Sequence, residues 1–307
     1  LDKQPWLKAV LQKNPGILND FFWPDGHIRV TGREYNGLLE TACYQRGEMS
    51  CTSCHSMHKS DPDDQLARGM RGNRACLQCH DEMAGNITAH THHAADSLGS
   101  NCTNCHMPHT SYGLLKAIRG HTIETPDVAT TLETGRPNAC NLCHLDKTLD
   151  WTAGQLAKRT GQVKPTVPEE HRTTAASVLW LLKGDAGQRA LAAWHMGWKP
   201  ALEASGSGWQ SPLLAELLDD PYSAVRYMAH KALTRQPGFD DFEYDFVAGE
   251  TSRLARREAA LAKWTLSTHN TPTHPNTLLL DTDGQRLTNK VRQLIETRDK
   301  RPMRLRE

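Results

Sequence analysis

The sequence predicts a mainly α chain in two unlike parts. The first is an irregular, Cys- and His-rich segment, and the second is an α-solenoid of paired helices. Three observations carry this expectation. The string C-x-x-C-H occurs four times between Cys51 and His144. No cysteine follows Cys143. Apolar residues recur at helical spacing from Asp185 to Trp264.

The four strings are Cys51-x-x-Cys54-His55, Cys76-x-x-Cys79-His80, Cys102-x-x-Cys105-His106 and Cys140-x-x-Cys143-His144. Thiols three residues apart sit about one helical turn apart, on one side of the backbone. Each can add to one vinyl group of a haem, and the adjoining imidazole then lies under the ring, where it can bind the iron. Two C-x-x-C pairs would also suffice for one tetrahedral zinc, but that reading leaves the four adjoining histidines unexplained. The expectation is four c-type haems, with His55, His80, His106 and His144 as proximal ligands.

Composition bounds the rest. The chain has 307 residues, 38 % apolar, with a formal net charge of +1. The length suffices for two domains, and no run approaches the roughly 18 apolar residues of a membrane span. Residues 1–150 carry 14 Lys/Arg against 17 Asp/Glu, and residues 151–307 carry 22 against 18. Neither balance suggests nucleic acid as a partner. Arg29, Arg33, Arg68, Arg71, Arg74, Arg119 and Arg136 are candidates to pair with haem propionates. Haem c is attached outside the cytoplasm, so a removed signal peptide and a periplasmic or extracellular location are expected. Nothing at Leu1 suggests a lipid anchor. Eight of the nine cysteines belong to the strings. Cys43 is left over and is expected to be a small side chain beside a haem.

Along the first part, residues 6–11 suggest a short helix broken at Asn14-Pro15-Gly16. Phe21-Phe22-Trp23-Pro24-Asp25-Gly26 is an aromatic group followed by a turn, suited to covering haem edges. Residues 27–30 read as a short extended piece. Two strings carry a further histidine three residues on, His58 and His109. Neither can reach the far side of its own iron, so each is expected to bind an adjacent haem and tie neighbours together. The arrangement repeats at 51–80 and 102–144, as two paired modules. The longer spacing of the second module holds residues 112–121, which read as a helix ending at Gly120 and presenting His121. Between the modules lies His90-Thr91-His92-His93. Four irons need four distal ligands, and His58, His109, His121 and one of His92 or His93 supply them. His90 and His27 are reserves, and Met49, Met57, Met70, Met83 and Met107 are alternatives.

Several stretches resemble the doubled-CxxCH multihaem cytochromes that carry a helical-repeat domain: Trp23-Pro24-Asp25-Gly26, Gly32-Arg33-Glu34-Tyr35-Asn36, Ser50 to His58, Thr91-His92-His93, Asn104 to Pro108 and Asn138 to His144. The resemblance covers roughly residues 20–155. It implies electron transfer in an extracytoplasmic compartment and names no redox partner.

After the linker at 161–168, Ser211–Pro221 and Tyr222–Leu233 form a helix pair that resembles a HEAT repeat. Residues 185–194 and 252–264 offer similar helices at a loose period. Such repeats share a core between neighbours and serve as scaffold or protein-binding surface. The tryptophans of this half are expected in that core. Residues 281–284 read as a turn rather than a calcium loop, and residues 285–299 as a last helix before a basic tail, solvated by default or else docked on an acidic neighbour. The expected division is a tetrahaem cytochrome domain (1–155), HEAT-like repeats (165–272), and a C-terminal helix with its tail (273–307).

The expected function is electron transport along a row of bis-His haems toward redox partner proteins. Self-assembly into an extracellular conducting filament or another oligomer is a further form of it. The competing expectation is a reductase of a small nitrogen or sulfur oxyanion, which needs one iron with an open axial position.

Overall fold

A computed structural model describes residues 16–58, 60, 62, 64–265 and 272–305. The described chain is mainly α, and its sheet is a single two-stranded hairpin. The helix expected at residues 6–11 lies outside the described residues.

The helices of the second half form for local reasons and then bury their apolar faces on one another. Asp185 caps helix Ala186–His195, accepting from the backbone N–H of Gln188, whose side chain accepts in return from the Asp185 N–H. That helix buries Ala190, Leu191 and Ala193 completely. It packs between Ala176–Leu182 and Ser223–Leu233. Ser211–Glu216 starts with a proline in its first turn and packs against Ser223–Leu233 and the long helix Glu250–Thr265. The expected turn at 281–284 is present, with the Asp281 carboxylate accepting from the N–H groups of Asp283 and Gln285.

The first half is built differently. Its helices run four to seven residues. Between Leu38 and Tyr112 no described hydrophobic residue is buried. This stretch therefore has no apolar core of its own, although it contains three of the four strings.

Residues 112–121 are a hairpin and not the expected helix. Strands Ser111–Gly113 and Lys116–Ile118 pair antiparallel through a two-residue turn. Both turn residues, Leu114 and Leu115, have positive φ, 52° and 50°. That is the turn whose twist matches a hairpin, here built from residues that disfavour it. Tertiary contacts override the helical pattern. Tyr112 is fully buried and exchanges backbone hydrogen bonds with Arg29 and Thr31. Leu114 is 66 % exposed, so its strain is not offset by burial. Leu114→Asn is expected to stabilise the protein by about 1 kcal/mol, read as a raised denaturant midpoint.

A buried ionic ladder ties the parts together. Arg29 pairs with Asp185, and both are at least 98 % buried. Arg301 reaches the second oxygen of Asp185 at 2.5 Å. Arg189 grips Asp220 with two bonds of 2.7 and 3.0 Å, and Arg298 adds a third at 2.9 Å. The basic tail is therefore docked, with Met303 buried and its N–H donating to the Tyr222 hydroxyl. One hydrophobic core runs from Trp23 and Tyr112 through the helices to Val291 and Met303, without a break at residues 155–165.

Candidate haem-binding site

Each string is one helical turn. Cys51–Ser53 is a 3-10 turn preceded by Ser50, which makes a capping box with Ser53. Arg74–Leu77, Cys102–His106 and Ala139–Cys143 are short α-helices. The N–H of His55, His80 and His144 donates to the carbonyl of the first cysteine of its own string, at 2.8–3.0 Å. This winds each pair of thiols toward one side of the backbone, as double thioether attachment requires.

Side-chain hydrogen bonds then set the strings beside one another in chain order. Gln78, inside the second string, donates to the carbonyl of Ser53 in the first at 3.0 Å. Asn73, just before the second, donates to the Ser100 carbonyl and accepts from the N–H of Cys102, both at 2.8 Å. Helix Cys102–His106 packs on helix Ala139–Cys143. Burial, with neighbouring thiols adding to it, pushes Cys76, Cys140 and Cys143 up to about 12.

Three of the four C-x-x-C-H histidines face a second imidazole. His55 faces His121, with ring centroids 6.1 Å apart and planes within 23°. His106 faces His90 at 5.9 Å and 15°. His144 faces His93 at 6.1 Å and 22°. Two metal–imidazole bonds of about 2 Å, plus two ring radii of about 1.2 Å, call for about 6 Å between centroids. The residues present thus fit iron held between paired imidazoles.

Hydrogen bonds support the same fit. Nδ1 of His106 lies 2.7 Å from the Glu124 carbonyl, Nδ1 of His93 2.7 Å from that of Thr91, and Nδ1 of His121 3.1 Å from that of Arg119. A carbonyl can only accept, so Nδ1 carries the proton and Nε2 keeps its lone pair for a metal.

The other expected ligands lie elsewhere. His58 is exposed on a turn. His92 is exposed at the left-handed end of helix Ile87–Thr91, with φ +57°. His109 is half-buried in an aromatic cluster with Trp194 at 4.9 Å, Trp198 at 5.1 Å and His195 at 6.0 Å. Burial lowers its affinity for protons, and it faces no proximal ring. His80 faces no imidazole among the described residues. His90, read from the sequence only as a reserve, stands opposite His106. The tetrapeptide at 90–93 thus serves two strings, because the left-handed residue His92 reverses the chain between them.

Several arginines suited to propionates are otherwise engaged. Arg119 donates to the Thr103 and Met107 carbonyls and to Asn104 Oδ1, clamping the third string. Arg136 pairs with Asp25 and Glu124. His27 completes that group, with Nδ1 3.1 Å from Asp25 and Nε2 3.0 Å from Glu124. Burial alone would lower its affinity for protons, but the two carboxylates outweigh it and raise His27 to about 9. Because the folded value lies above the ordinary 6.5, the stabilisation is complete below pH 6.5 and is lost as pH rises through about 9. The denaturant midpoint is expected to fall across that window, and His27→Gln should flatten the fall.

With this geometry in hand, comparison with known families gives one match. Residues 44–85 match the doubled CXXCH motif. It takes in the first and second strings and indicates covalently bound c-type haem in an electron-transfer protein. The third and fourth strings lie outside the matched residues. No curated protein and no solved structure matches the chain. Among the described residues, no helix is long and apolar enough to cross a membrane.

Proposed function

We propose that this chain is a tetrahaem c-type cytochrome that passes electrons along a row of haems to protein partners. The observation that carries the reading is the set of three facing imidazole pairs, each opposite a C-x-x-C-H histidine at the separation an iron ion needs. Haem, when bound, supplies the one-electron chemistry. The chain's residues do the rest. Cysteines fix each site covalently, backbone carbonyls hold the imidazole tautomers, and Gln78 and Asn73 keep neighbouring sites together. Bis-imidazole ligation favours low potentials relative to His/Met sites.

Haem also accounts for the want of apolar core between Leu38 and Tyr112, since the macrocycles of its three strings would supply the missing apolar surface. Haem c attachment outside the cytoplasm supports a periplasmic or extracellular location. The paired helices of the second half suit a HEAT-like scaffold for a redox partner or for further copies of the chain. Assembly into a filament is a finer form of this reading, and dispersed monomers in electron microscopy at all concentrations would remove it. The test of the whole is intact mass together with haem quantification by pyridine haemochrome. Four covalent haems per chain are expected, and two would overturn the reading.

A further inference from the structure

We infer that the second string, Cys76–His80, holds an open haem that takes a small exogenous axial ligand. The inference rests on the tetrahaem reading. Among the described residues, the facing imidazoles come from two places. The turn after the hairpin supplies His121 to the first string, and residues 90–93 supply His90 and His93 to the third and fourth. Neither serves the second. His55, His106 and His144 are half-buried behind their partners, whereas the His80 side chain is 55 % exposed. Its neighbour in the string, Cys79, is exposed as well.

His80 is nevertheless set up as a proximal ligand. The Glu82 carboxylate lies 3.6 Å from its Nδ1, on the side where His93, His106 and His121 meet carbonyls. A carboxylate there favours the proton on Nδ1 and leaves Nε2 for iron. A haem held here would take His80 on one face and, among the described residues, no imidazole on the other. A ligand that fits is small and carries a lone pair on carbon, nitrogen or oxygen, such as a diatomic gas or a small anion. An iron so ligated is high-spin and exchanges its sixth ligand readily, unlike one held between two imidazoles.

The experiment uses the matured full-length protein. Haem quantification comes first and tests the tetrahaem reading independently. With four haems counted, carbon monoxide is titrated into the reduced protein and cyanide into the oxidised protein. One equivalent per chain and a high-spin signal from one haem in four are expected. Cys76→Ser with Cys79→Ser should leave three haems and abolish carbon monoxide uptake. Should that variant not mature, Glu82→Gln is expected to shift the iron–carbon monoxide stretching frequency. An unchanged frequency, or uptake that survives loss of the second string, places the open haem elsewhere and overturns the inference. Four low-spin haems with no uptake also overturn it. In that event, uptake gained in His58→Ala, or on dilution, would identify an imidazole of the chain or of a second copy as the occupant.

Discussion

Asp185→Ala is expected to destabilise the protein by about 3–5 kcal/mol, the cost of stranding a buried charge. Arg29 would keep its guanidinium in a site only 2 % exposed, with the partner that neutralises it gone. Losing the helix cap to Gln188 adds about 1 kcal/mol. Against a total of about 5–15 kcal/mol for a typical domain, this is a large share of the whole. The effect should reach the first string. Arg29 and Thr31 bond the backbone of Tyr112, and the hairpin that follows leads to His121. Guanidinium denaturation followed by far-ultraviolet circular dichroism reads the loss, and a change under about 1 kcal/mol would refute it. Burial alone would raise the Asp185 carboxyl, but Arg29 and the Gln188 N–H hold it below the ordinary carboxylate range. Its contribution is therefore present above pH about 4 and is lost as pH falls through the depressed value. Asp185→Ala should flatten that acid limb.

The parts of this protein that were legible in the sequence are those set by neighbours along the chain. A helical turn brings Cys140 and His144 together whatever the rest of the molecule does. Likewise, Asp185 and Gln188 cap one helix by themselves, and the 3.6-residue period marks Ser223–Leu233 and Glu250–Thr265. The facing ligands are different in kind. His121 meets His55 across 66 residues, and His144 meets His93 across 51. A histidine count can say that enough imidazoles exist and cannot say which ring faces which. The hairpin at 111–118 escaped for a related reason. Two leucines at positive φ carry no turn signal, and only the pairing of Tyr112 with residues 29 and 31 selects that conformation. The docking of the tail was not legible because the carboxylate that Arg301 meets, Asp185, lies 116 residues away.

His90→Ala is expected to convert one haem from low-spin to high-spin and to add one carbon monoxide equivalent to the reduced protein. The ring facing His106 is removed, while His106 itself stays fixed by the Glu124 carbonyl. The third string should thus keep its haem and lose only the distal ligand. His92→Ala is expected to leave spectrum and stability unchanged, since its side chain is exposed and faces no proximal ring. His109→Ala should separate burial from ligation. It would leave a cavity between Trp194 and Trp198 and cost about 3 kcal/mol, without a new high-spin signal. Electron paramagnetic resonance of the oxidised variants, with haem content held equal, distinguishes the three. A high-spin signal in His92→Ala together with a silent His90→Ala would mean that the 90–93 turn adopts another arrangement around iron. The assignment therefore turns on one left-handed residue. With His92 at φ +57° the chain reverses between His90 and His93, which face the rings of two different strings, whereas a helix continued through 93 would present both rings, three residues apart, to one side.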